Sequence, residues 1–129
     1  MQVLRPDPQA GERADPAHFT GSVRLFRLAT GGEHGIKVFR VEFDPSARTH
    51  WHAHTGPQVL VVLEGVCRVS SRGGRVEEVR PGESIIIDPG EKHWHGAAPG
   101  SRMVHLAINI RTETSWLEPV SDEDFARQA

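Results

Sequence analysis

Short apolar segments punctuated by glycine and proline set the tightest limit on what this chain can fold into. Thirteen glycines and nine prolines are scattered through 129 residues and not gathered into one linker. Between them lie runs rich in Val, Ile, Leu and Phe, too short for amphipathic helices and bounded by turn residues. This rhythm predicts antiparallel strands near 22–29, 36–43, 48–54, 58–63, 66–71, 75–80, 84–88, 92–95 and 102–110. Arg72-Gly73-Gly74-Arg75 reads as a tight hairpin turn in which Gly73 and Gly74 accept positive φ without a Cβ penalty. Thr30 to Gly35 reads as a looser one. Near the end, Ser121 followed by Asp122, Glu123 and Asp124 has the signature of a helix N-terminus, a capping hydroxyl with acids in the first turn. It implies one helical turn at most. The first dozen residues, rich in Pro, Asp and Gly, predict an irregular arm, and no fixed-period repeat is present.

Nine short strands must close or stack to bury their apolar faces, which leaves a β-sandwich, a jelly roll or a small barrel. The length predicts one domain, residues 1–129, with the barrel at about 22–111. A net charge of -2, with acids and bases interleaved and no Lys/Arg cluster, argues against a nucleic-acid surface. The lone Cys67, flanked by Val66 and Val69, reads as a small core hydrophobe. No apolar stretch reaches membrane-spanning length and the start lacks an apolar leader, so the expectation is a soluble protein of the cytoplasm with no membrane partner.

Six of the eight histidines fall in three short stretches, the densest being His50-Trp51-His52-Ala53-His54. Alternate residues of a strand share a face, so His50, His52 and His54 are expected to point the same way. Buried imidazoles without partners cost about 1 to 3 kcal/mol each, and a metal ion satisfies all of them together. The turn Thr55-Gly56-Pro57 returns Gln58 to the same face, with Leu60 and Val62 continuing inward, while Asp88-Pro89-Gly90 aims His93-Trp94-His95 as a further pair. Ligands spread over 52–93 converge only if different strands face a common interior. Imidazoles with one amide oxygen and no thiolate suit Mn, Fe, Co, Ni or Zn and not a structural cysteine-rich zinc site. The competing reading of the set His52, His54, Gln58 and His93 is a group of hydrogen-bonded structural histidines. Strand alternation turns Trp51 and Trp94 away toward packing, and His18 and His34 read as ordinary loop residues. Arg48 is expected to be an exposed charge near the rim, with an anion-orienting role as the alternative.

These residues carry a family resemblance. Ser46 to Gly65 resembles the first cupin motif, G-x5-H-x-H-x3,4-E-x6-G, with Ser46 in place of the first glycine and Gln58 in place of the glutamate. Gly82 to Ala97 resembles the second, G-x5-P-x-G-x2-H-x3-N, with Asp88 in the proline position and Ala97 in that of the asparagine. The resemblance implies an all-β cupin jelly-roll barrel, commonly dimeric. More narrowly, the stretches 47–54, 89–99 and 103–108, extending into Trp116-Leu117-Glu118-Pro119-Val120, resemble small bacterial cupins filed beside carboxymuconolactone decarboxylases and the manganese-dependent cupin hydroxynitrile lyases. That resemblance implies a metal held by His52, His54, Gln58 and His93, with His95 and His105 as additional pocket histidines. His50 has no counterpart there, and Pro57 stands where glycine is usual.

A neutral amide in place of a carboxylate leaves a divalent site its full charge, which favours Lewis acidity over redox turnover. The resulting expectation is a carbon–carbon lyase of hydroxynitrile lyase type, reversibly cleaving a cyanohydrin to aldehyde and cyanide. Manganese is the first choice of metal, His95 and His105 are the acid and base, and His50 is a further candidate participant. His95 and His105 as lining or supporting residues, and His50 as a solvated residue at the mouth, are the alternatives. Leu60, Val62, Met103 and Ile108 are expected to offer an apolar pocket to a small-molecule substrate bearing a hydroxyl or carbonyl group. Two other classes fit the same ligand chemistry, a metal-dependent dioxygenase and a non-catalytic small-molecule-binding cupin.

Overall fold

The computed structural model describes all residues, 1–129, and is built almost entirely of strands. They are β1 (Glu12–Arg13), β2 (Phe19–Thr20), β3 (Val23–Gly31), β4 (Ile36–Phe43), β5 (Arg48–Thr49), β6 (His52–His54), β7 (Gln58–Glu64), β8 (Cys67–Ser71), β9 (Glu77–Val79), β10 (Ser84–Ile87), β11 (His93–Ala97), β12 (Met103–Ile110) and β13 (Thr114–Trp116). The single helix α1 (Asp122–Phe125) is one turn, capped as expected by the Ser121 hydroxyl, which accepts from the Asp124 amide at 3.1 Å. No helix is long and apolar enough to cross a membrane.

Two antiparallel sheets form a curled sandwich of jelly-roll type. One is six-stranded in the order β1-β3-β4-β12-β7-β10, and the other is seven-stranded, with β13-β6-β11-β5-β2 as its path and β8 joining β11 to β9. Between them sits a core of Val23, Val41, Phe43, Leu60, Val62, Met103 and neighbours, into which Cys67 is packed as a hydrophobe. Burial pushes its thiol up to about 12, so it is chemically inert. Leu60, Val62 and Met103 point inward, but they pack in the core and do not line the cavity, whose apolar wall comes from other residues. Ile108 does not point inward, because His105, Ala107 and Asn109 take the cavity face of β12 and alternation turns Ile108 outward.

The expected strand 48–54 is broken. The chain leaves the sheet after Thr49 and re-enters at His52, so His50 and Trp51 do not obey strand parity. β1, β2 and β13 are additional two- and three-residue strands, and β9 is shorter than expected. Of the two hairpin glycines only Gly73 takes a positive φ, 73°. Ser46, standing where the motif has glycine, adopts φ 66°, so the turn keeps its left-handed backbone although the residue differs. Gly96 is needed for a different reason. A Cβ there would lie 2.5 Å from the Ala47 carbonyl oxygen, so only glycine lets β11 run close beside β5.

Arg48 is buried and not an exposed rim charge. Its Nη2 donates to the Val120 carbonyl at 2.9 Å and to Asp122 Oδ1 at 2.6 Å, and its guanidinium lies over the Phe125 ring. Arg68 Nε donates to the Phe125 carbonyl at 3.1 Å. Together they clamp the C-terminal turn onto a second small core of Val76, Trp94, Val120 and Phe125, which is where Trp94 is spent.

Candidate metal centre

The seven-stranded sheet delivers the imidazoles. His52 and His54 share a face of β6 by alternation, His93 and His95 share a face of β11, and register pairs His93 with His52. The six-stranded sheet supplies Gln58 at the head of β7, and His105 and Asn109 from β12. Of these groups His52, His54, His95, Gln58, His105 and Asn109 line a cavity of about 450 Å³ between the sheets, together with Phe19, Leu25, Phe39, Val41, Ala107 and Trp116, while His93 is buried beside its wall.

Ring nitrogens of His52, His93 and His95 lie within 4.8 Å of one another. The His54 ring stands beside them, its centroid 5.0 Å from that of His52 and 5.2 Å from that of His93. The hydrogen bonds fix how these rings present themselves. His52 Nδ1–H donates to the His50 carbonyl at 2.8 Å, and His93 Nδ1–H donates to the Glu91 carbonyl at 2.8 Å. Each ring is thereby set in the tautomer that leaves Nε2 a free lone pair. His54 Nδ1 pairs with the Thr114 hydroxyl at 3.0 Å. With the proton on that side, His54 Nε2 and Gln58 Oε1 confront each other as acceptors at 3.1 Å, which a shared cation satisfies. The Gln58 amide is oriented from behind, its Nε2 donating to Asn109 Oδ1 at 2.8 Å.

His95 is tied differently. Its Nδ1 meets His105 Nε2 at 3.0 Å, joining two imidazoles in one hydrogen bond. Phe43 packs against both rings. His93 Nε2 and His95 Nε2 are buried without a protein partner. Leaving such atoms unsatisfied is costly, and an ion and its ligands are what this donor set fits, with no thiolate and no carboxylate among the buried side chains.

Burial lowers the basicity of the whole group. It holds His52 and His95 well below the ordinary imidazole range, with neighbouring imidazoles adding to the effect. It brings His93 and His105 down to about 4 and also lowers His54. All five are neutral at pH 7, the state in which an imidazole ligates a metal or accepts a proton.

His50 is brought beside this site and not into it. It is buried and absent from the cavity wall, its carbonyl orients His52, and its amide donates to the His18 carbonyl at 2.8 Å. His18 is no ordinary loop residue. It lines the cavity and stacks on Trp116 with ring centroids 4.4 Å apart and planes 7° from parallel, and Trp116 in turn lies 4.7 Å from His52. Two signals for this wall stand in the sequence, an aromatic pair His18-Phe19 and an isolated Trp116. Neither has a periodicity that tells which cavity it faces. His34 lies exposed in the β3–β4 turn.

Comparison with known proteins agrees with this geometry. Residues 39–110 match the family described as Cupin domain. The chain is 40% identical to an (R)-mandelonitrile lyase from Granulicella tundricola, over 98% of this chain and 100% of that one. A cupin-like protein from Thermotoga maritima superposes with a TM-score of 0.86 at 33% identity, covering 97% of this chain and 95% of that one. A polyketide cyclase, RemF from Streptomyces resistomycificus, shares the fold at a TM-score of 0.74 and 23% identity, over 96% of this chain and 91% of its own. Motif, sandwich and buried imidazole cluster coincide with these matches, and the chain belongs to the cupin family.

Proposed function

We propose that this chain is a divalent-metal-dependent carbon–carbon lyase of hydroxynitrile type, cleaving a cyanohydrin reversibly to an aldehyde and hydrogen cyanide. One arrangement carries the reading. Imidazoles with free Nε2 atoms converge in a buried cavity, and a hydrogen-bonded histidine pair stands at its edge. The full-length relationship to an (R)-mandelonitrile lyase supplies the reaction. The proposed ligands are His52, His54, Gln58 and His93, because these rings have Nδ1 anchored on oxygen and the amide is anchored by Asn109. Manganese is the proposed ion, from the resemblance to the manganese-dependent lyases, and the neutral oxygen and nitrogen ligand set suits a divalent metal.

When bound, the ion supplies Lewis acidity toward a substrate hydroxyl. His95 stands beside it as a neutral base whose Nε2 accepts the hydroxyl proton. As the carbon–carbon bond breaks, its electron pair leaves with cyanide and the carbonyl forms. The His95–His105 pair holds the proton across its 3.0 Å hydrogen bond until cyanide takes it, so that atoms and charge balance. Phe19, Phe39, Leu25, Val41, Ala107 and Trp116 replace water around the organic part of the substrate. His50 acts through its carbonyl on His52 and takes no proton. The reading includes a location in the cytoplasm and a homodimer, the latter supported by the outer face of the six-stranded sheet, where Ile86, Leu63, Ile36 and Ile110 are exposed.

The test is elemental analysis of protein purified without an affinity-tag metal, paired with mandelonitrile cleavage before and after manganese loading. Near-stoichiometric metal and metal-dependent benzaldehyde release are expected, both lost in His93→Ala. Bound metal with oxygen uptake and no cleavage would overturn the lyase reading in favour of a dioxygenase.

A further inference from the structure

We infer that the substrate this cavity is built for carries a carboxylate remote from its reacting hydroxyl, and that Lys37 at the mouth receives it. The inference rests on the lyase reading for the chemistry and adds the class of substrate. Lys37 lies on β4 with the same parity as Phe39 and Val41, and all three line the cavity. Register places Lys37 opposite Asn109 on β12, and Asn109 opposite Gln58 on β7. The three form one inward row of polar side chains across adjacent strands. With strands about 4.8 Å apart, the Lys37 backbone stands roughly 10 Å from that of Gln58. That span is matched by an aryl ring with its hydroxyl-bearing carbon at the ion and an acid group at the far end. Phe39 neighbours Lys37 on the same face and supplies the apolar surface between the two poles.

Charge supports the same conclusion. Arg27, the other cation of this wall, is already paired, with Nε 3.0 Å from Glu12 Oε1. Lys37 has no carboxylate within 4.0 Å and no hydrogen-bond partner, unlike Lys92, which holds Glu118 at 2.6 Å. The two acids of the mouth belong to other segments. Asp15 lies in the strap before β2, where it accepts from the Ala17 amide, and Glu113 leads into β13. Three imidazoles and an amide would leave a bound divalent ion's charge uncompensated, and no Asp or Glu is buried anywhere in the chain to balance it. An ion held there would make the interior electropositive, and at an entrance shared with Asp15 and Glu113, Lys37 is the one cation of the wall not held by a carboxylate and so free to receive an anionic group.

The probes are 4-carboxybenzyl alcohol against benzyl alcohol for binding, and the cyanohydrin of 4-carboxybenzaldehyde against mandelonitrile for turnover. Calorimetry on the manganese-loaded protein should give at least tenfold tighter binding of the charged alcohol. Lys37→Met should abolish that preference and lower the charged-to-neutral ratio of kcat/KM by tenfold or more, while Lys37→Arg retains it. Equal binding of both alcohols, or a preference that survives in Lys37→Met, would overturn the inference and leave mandelonitrile cleavage standing. The charged preference without cleavage of either cyanohydrin would sink the lyase reading and leave the anion site in place. Absence of binding by either alcohol, with neither cyanohydrin cleaved, would overturn both.

Discussion

His95 and His105 differ in what they face, although both are buried and neutral. His95 belongs to the cluster of ligand-capable imidazoles and its Nε2 has no protein partner, whereas His105, which also lines the cavity, is hydrogen-bonded to its Nδ1. Replacing His95 by Ala should cut kcat by at least about 100-fold with metal content preserved. His105→Ala should also lower kcat, and His105→Gln, which keeps a group able to hydrogen-bond Nδ1, should recover part of the loss. Loss of metal in His95→Ala, measured by elemental analysis, would instead make His95 a ligand in place of His54 or Gln58. At this scale the ligand candidates were legible because alternation and a short turn place His52, His54 and Gln58 by local rules, and Gly90 places His93. Asn109, His18 and Trp116 were not, since their meeting with the site depends on which strands become neighbours. His50 failed for a local reason, the break in the chain after Thr49.

Long elements were readable and two-residue ones were not. β3, β4, β7 and β12 carry enough apolar periodicity to declare themselves, whereas β1, β2 and β5 exist only through pairing with a neighbour. The burial of Arg48 was hidden in the same way, because its partners Val120 and Asp122 arrive from the far end of the chain. The outward faces of β7, β10 and β12 follow from the same alternation that fills the interior. Leu63 and Ile110 are partly exposed and Ile86 is 73% exposed, on the β7, β10 and β12 side of a sheet face whose β3 and β4 side is flanked by the N-terminal arm. Light scattering should therefore give a dimer, and Ile86→Glu should shift it toward monomer. A monomeric wild type at micromolar concentration, or a dimer indifferent to the substitution, would remove this interface.

The depressed histidines make the whole molecule acid-sensitive. An unfolded imidazole binds its proton near pH 6.5, while burial postpones protonation of His93 and His105 to about 4 and lowers His52, His54 and His95 as well. Between those values the unfolded chain holds more protons than the folded one, so stability is full above about pH 6.5 and is lost as pH falls toward 4. The Tm of metal-free protein should decline across that window and stay level just above it. A flat profile from pH 7 to 4 would contradict the burial of these rings. Imidazoles from one sheet and an amide from the other meet at a single point. An ion there is a rivet through both layers, gripped by the closed sandwich and released when the layers part. The persistence of the protein would then follow the supply of that ion, and a chain starved of it would be lost to degradation as well as idle.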